Sequence, residues 1–208
     1  MKKLCVTLAV VLLCFTPVMA ETPYLSGSFG VGFPNSVEEK ADGTLVDTAK
    51  LKTGFPFTGA IGISFGTDRV EFSIGSQSYD VDTITFYPAA SPYTTQGKYS
   101  GNGLSESVMS YMVNAYHDFK MKALSPYIMA GIGFANERTK YLSAEEFNHT
   151  SIMYQVGCGV GVKASDKVTI DAGYKYSAIP ATTNYLPGIK IDSSTSGHQI
   201  LIGFRREI

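Results

Sequence analysis

Between residues 151 and 163 the chain reads SIMYQVGCGVGVK, and its polarity alternates with a period of two. Ile152, Tyr154, Val156, Cys158, Val160 and Val162 are apolar, while Ser151, Met153, Gln155, Gly157, Gly159, Gly161 and Lys163 are mostly small or polar. A helix, repeating every ~3.6 residues, cannot gather this pattern into one stripe, and each interior glycine would cost it about 1 kcal/mol relative to alanine. The segment is predicted to be a strand with one greasy face. The same alternation recurs over 24–33, 55–65, 69–76, 106–119, 127–135, 168–177 and 198–208, giving eight predicted strands.

The joints alternate in length. Gly66-Thr67-Asp68, KMKALS and Ala164-Ser165-Asp166-Lys167 are short, whereas 34–54, 77–105, 136–150 and 178–197 are long. In an antiparallel up-and-down array all the long joints emerge at one end. That is the asymmetry of a transmembrane barrel, with short periplasmic turns and long outer loops. The runs are close to the ~9–11 tilted residues that span hydrocarbon. The fold class expected is all-β: an eight-stranded antiparallel up-and-down transmembrane β-barrel.

A soluble barrel would bury the greasy face instead. Two features favour lipid. The small-residue face also carries Arg69, Glu71, Asp118, Lys163, Asp171, Lys175 and Arg205, and a narrow eight-stranded bore is filled by side chains, so small residues leave room for a few long charged ones. The apolar face carries Phe33, Phe55, Phe65, Tyr176 and Phe204 near strand ends, where interfacial aromatic girdles belong. Those seven charges are the candidate lumen network, expected to plug the bore by pairing across it. The alternative is an ion constriction in a narrow passive pore.

Composition narrows the rest. The chain has 208 residues, 44% hydrophobic and 17% charged, with a formal net charge of −1, so no basic footprint points to nucleic acid. Lys2 and Lys3 precede the apolar run LCVTLAVVLLCF, and TPVMA stands before Glu21. This is the pattern of a signal peptide cleaved after Ala20, too short for a spanning helix. The division expected is 1–20 leader and 21–208 barrel, and cleavage would leave Cys158 without a disulfide partner.

SYMVNAYHDF, within the fourth strand, and the terminal HQILIGFRREI resemble the small eight-stranded outer-membrane barrels of the OmpA/opacity type, and the likeness covers essentially all of 21–208. It implies residence in the outer membrane of a Gram-negative bacterium, outer-membrane lipids as surroundings, and delivery by the outer-membrane assembly machinery through the terminal strand. That strand departs from the family pattern in ending on Ile208 and in carrying Arg206 where an aromatic is usual.

Catalytic chemistry has thin support. His149 and Ser151 stand two apart, a spacing that resembles lipid A deacylase barrels, but no acid follows at a suitable distance and Ser151 has lumen parity. A lipid-modifying enzyme is therefore the third reading. Asp80 and Asp82 read as solvated loop acids, His117 and His198 as interfacial side chains, and Cys158 as a small hydrophobe. No cofactor and no metal is expected. The function expected is non-enzymatic, with the long outer loops as candidate binders of a surface ligand.

Overall fold

The computed structural model describes residues 21–88, 96–101, 103–121, 124–140, 146–186 and 189–208, so the leader reading falls outside the described residues. The strands are β1 (Glu21–Pro34), β2 (Val37–Ala41), β3 (Thr44–Leu51), β4 (Phe57–Phe65), β5 (Asp68–Phe86), β6 (Gly97–Ser100), β7 (Ser105–Asp118), β8 (Leu124–Lys140), β9 (Glu146–Lys163), β10 (Val168–Leu186) and β11 (Ile189–Glu207). β1, β4, β5, β7, β8, β9, β10 and β11 pair antiparallel in that order. β1 then pairs back onto β11, from Tyr24↔Glu207 to Pro34↔Gly197. This closed eight-stranded barrel leaves no edge, as a hydrocarbon surrounding demands of every backbone N–H and C=O.

Alternation sorts the two faces. Phe29, Phe57, Ile61, Ile132, Phe134 and Ile200 point outward and are each more than half exposed, while Tyr24, Arg69, Glu71, Asn114, Asp118 and Gln155 are buried within. A belt of outward Ile, Val and Phe around the whole wall is far beyond the apolar patch a water-soluble monomer carries. It is a lipid-facing surface.

The inward glycines serve the side chains of neighbouring strands. A Cβ on Gly62 would overlap the ring of Tyr24, one on Gly131 would overlap the Asn114 amide, and Gly159 and Gly173 together make room for Tyr127. Long polar side chains thus lie flat across the gaps left on adjacent strands. The interior is not uniformly small and polar, however. Val108, Met112, Ala135, Met153 and Ile179 form a buried apolar cluster in the half nearer the long connections. A bore this narrow packs side chain on side chain, and there an inward methionine is as well placed as a serine.

The long joints are largely strand, which corrects their reading as loops. β5, β8, β9, β10 and β11 all continue past the lipid-facing belt. β2 and β3 form a hairpin that joins β11 through Glu39↔Ser193 to β5 through Asp47↔Phe86, carrying the wall above β1 and β4. Its turn is Asp42-Gly43, with φ of 48° and 82°. Positive φ at both central residues is the primed hairpin turn that suits the twist of the strands, and Asp-Gly is a favoured pair for it. β6 adds to β5 on the other side, from Thr83↔Ser100 to Phe86↔Gly97.

Candidate functional site

Two groups of ionisable side chains face the bore, one in the half near the short turns and one at the strand-built rim beyond the membrane belt. Register places the first. On β5, Arg69 and Glu71 stand opposite Tyr116 and Asn114 of β7. On β10, Asp171 and Lys175 stand opposite Gly203 and Gln199 of β11.

The Arg69 guanidinium donates from Nε and Nη2 to the two carboxylate oxygens of Asp118, at 2.8 and 2.9 Å. Such a bidentate fork is among the strongest charge-assisted contacts. Tyr116 and Tyr127 pack against the same guanidinium, their centroids 4.2 and 5.4 Å from its carbon. Arg205 lies between Asp118 and Asp171, at 3.7 and 3.9 Å, and is the looser partner of both.

Glu71 is held differently. Ser26 Oγ and Tyr24 Oη donate to one carboxylate oxygen at 2.9 and 3.3 Å. Tyr116 Oη and Asn114 Nδ2 donate to the other at 2.9 and 3.4 Å. Four neutral donors therefore replace water around this buried carboxylate. Asn114 also donates to Ser73 and accepts from Gln155, spanning the bore at the next level. Lys175 lines a polar cavity of about 90 Å³ shared with Arg69, Glu71 and Asp171.

Of the seven charges expected to face one another, the structure gathers Arg69, Glu71, Asp118, Asp171, Lys175 and Arg205 around the bore. Lys163 has the right parity but is exposed at the last residue of β9. Its strand ends there, so nothing folds it inward.

The rim group was not singled out in the sequence. Glu39 and Asp47 sit directly opposite each other across the β2–β3 hairpin. Burial pushes the Asp47 carboxyl up to about 7, with Glu39 adding to the rise, and burial raises Glu39 as well. Glu106 and Glu137 lie on adjacent strands, two residues offset in register. Burial, and secondarily the charge of Glu137, lifts Glu106 to about 7. Burial also raises Glu137, although hydrogen bonds from Thr195 and Ser151 and the nearby His149 oppose the rise.

Glu137 is the acid that the His149–Ser151 pair lacks in sequence. It stands directly opposite His149, and Ser151 Oγ donates to its Oε2 at 3.4 Å. The order is wrong for an activated nucleophile, because the serine hydroxyl bonds the acid and the imidazole does not stand between them. The group also faces the bore and not the lipid.

The remaining candidates lie on the outer surface. Asp80 and Asp82 are exposed. His117 Nδ1 is 2.7 Å from Asp68 at the short-turn rim, and His198 Nδ1 is 2.6 Å from the hydroxyl of Tyr174. Cys158 is exposed on the lipid-facing wall. Among the described residues, no three His, Cys, Asp or Glu are placed to hold a metal ion.

Similar folds are known. Neisserial surface protein A is 18% identical, with a TM-score of 0.55 over 91% of this chain and 99% of that one. The outer membrane protein OprG from Pseudomonas aeruginosa is 12% identical, also at 0.55, over 91% and 98%. The outer membrane protease OmpT from Escherichia coli aligns at 0.48 with 8% identity, over 90% and 97%. At these identities the first two likenesses establish the fold alone. No curated protein matches the sequence. The model of the outer membrane protein beta-barrel domain matches residues 6–206, and the chain belongs to that family.

Proposed function

We propose that the protein is a non-enzymatic outer-membrane barrel with a closed bore, whose strand-built rim presents a recognition surface outside the cell. The short turns then face the periplasm and the hairpin β2–β3 faces outward. One observation carries this reading: three successive levels of packed side chains cross the bore. The first is the Arg69–Asp118–Arg205–Asp171 level with its tyrosines. The Asn114–Gln155 level follows, and then the apolar cluster around Met112 and Met153. With the interior committed to packing, the rim is the part left to meet other molecules.

The narrow-pore alternative draws on the 90 Å³ cavity and its charged lining. Planar-bilayer recording separates the two. The closed bore predicts no stable conductance steps from wild-type protein, and discrete ion-selective steps would favour the pore. Replacing residues 37–51 by a short turn should leave a folded barrel that loses binding to host-cell or matrix surfaces. Unchanged binding by that variant would remove the hairpin from the proposed surface.

A further inference from the structure

The lipid-facing wall has one gap in its apolar cover. Outward positions of β1 and β4 read Leu25, Gly27, Phe29 and Phe57, Gly59, Ile61, and the two glycines are directly opposite each other in the register. They form the floor of an apolar groove of about 620 Å³, walled by Phe29 and Phe57 toward the rim and by Phe204 and Ile74 at its ends. Neither glycine has the positive φ that would demand glycine there. A Cβ on Gly59 would meet nothing within 4 Å, and one on Gly27 would meet only the tip of the Phe204 ring, at 3.1 Å. Nothing among the described residues accounts for their missing side chains, although glycine weakens a strand. Such a glycine often marks the close approach of another molecule.

The next outward residue of β11 past Phe204 is Arg206, in register with Leu25 and one pair below the groove. It is exposed, and no carboxylate lies within 4 Å of it among the described residues. Beside it, Glu207 N–H donates to the backbone carbonyl of Lys167, which brings a second exposed cation to the same edge. A cation at the membrane edge beneath an apolar trough has the amphipathic pattern of a phospholipid. A second copy of the chain fits less well, because a two-fold contact through this face would bring two Arg206 side chains together with no carboxylate between them.

We infer that the groove over Gly27 and Gly59 binds one phospholipid of the leaflet at the short-turn end, with one acyl chain along the groove and the phosphate at Arg206. The glycine pair sets the depth of the trough, Phe204 closes one side, and the arginine selects an anionic head group.

Native mass spectrometry of the full chain, released from detergent micelles doped with dioleoyl phosphatidylglycerol, tests this. Wild type should retain a single lipid. Gly59→Leu, whose Cβ would meet nothing within 4 Å, should abolish retention, and Arg206→Gln should weaken it about fivefold, the worth of one basic residue near a membrane surface. Ile132→Leu, on the opposite wall, should retain lipid as wild type does. Heat-dependent gel mobility shows which variants are folded, and Arg206→Gln decides the matter if Gly59→Leu does not fold. Equal retention by all folded variants would overturn the assignment, as would a dimer in wild type that Gly59→Leu dissolves.

Discussion

The two ionisable groups inside the barrel meet the same problem, carboxylates removed from water, in opposite ways. In the half near the short turns Asp118 and Glu71 have hydrogen-bond donors from other residues. Asp118 has a guanidinium fork, Glu71 has four neutral donors, and Asp171 has only the charge of Arg205 at 3.9 Å, its Oδ1 making no hydrogen bond. At the rim, acid faces acid across the β2–β3 hairpin, and Glu106 lies beside Glu137. Burial lifts Asp47 and Glu106 to about 7 there, while Glu137 keeps hydrogen bonds from Thr195 and Ser151. The lower group meets Asp118 and Glu71 with a cation and hydroxyls, whereas at the rim burial raises the carboxyls.

The largest effect should come from breaking the first arrangement. Arg69→Ala leaves Asp118 buried without its fork, and removing one partner of a buried pair costs about 3–5 kcal/mol. The temperature at which the barrel loses its compact gel mobility should fall accordingly, and Arg69→Met with Asp118→Leu should recover part of the loss. Arg205→Ala should cost clearly less, since its contacts are 3.7 and 3.9 Å. Equal losses for the two arginines would mean that the fork is no stronger than the looser bridge.

The smaller effect sharpens the other side. A carboxyl with a raised pKa binds its proton more tightly in the folded state than in the unfolded one. Its contribution to stability is therefore complete below the unfolded value and is lost as pH rises through the folded value, here about 7 for Glu106. Glu106→Gln should stabilise the barrel at pH 8 and change little at pH 5, as read by thermal unfolding in micelles at the two values. Equal effects at both would remove Glu106 from the titrating group.

Much of the barrel was legible because a wall between lipid and a packed bore imposes a period of two, and because short and long joints alternate. Parity also brought six of the seven charges to the bore. Parity does not reveal register, so it could not show that Arg69 forks Asp118 or that neutral hydroxyls hold Glu71. Nor could it show that Lys163 falls at a strand end and escapes. The rim acids were missed for a different reason: Glu39, Asp47, Glu106 and Glu137 lie in or beside stretches whose mixed polarity reads as loop. One signal was available. Asp42-Gly43, flanked by Val37, Leu45 and Val46, has the make-up of a tight hairpin, and Glu39 and Asp47 lie across from each other once that turn is recognised.

The contrast between hydrogen-bonded acids below and raised carboxyls above is tested most directly by residue-resolved hydrogen exchange of wild-type protein in lipid nanodiscs at pH 5 and pH 8, corrected for intrinsic exchange rates. Amides of β2 and β3 should be markedly better protected at pH 5, while those of β5 and β7 around Arg69, Glu71 and Asp118 should be equally protected at both. Equal protection of the hairpin at the two pH values, or a pH response centred on the lower group, would contradict that contrast.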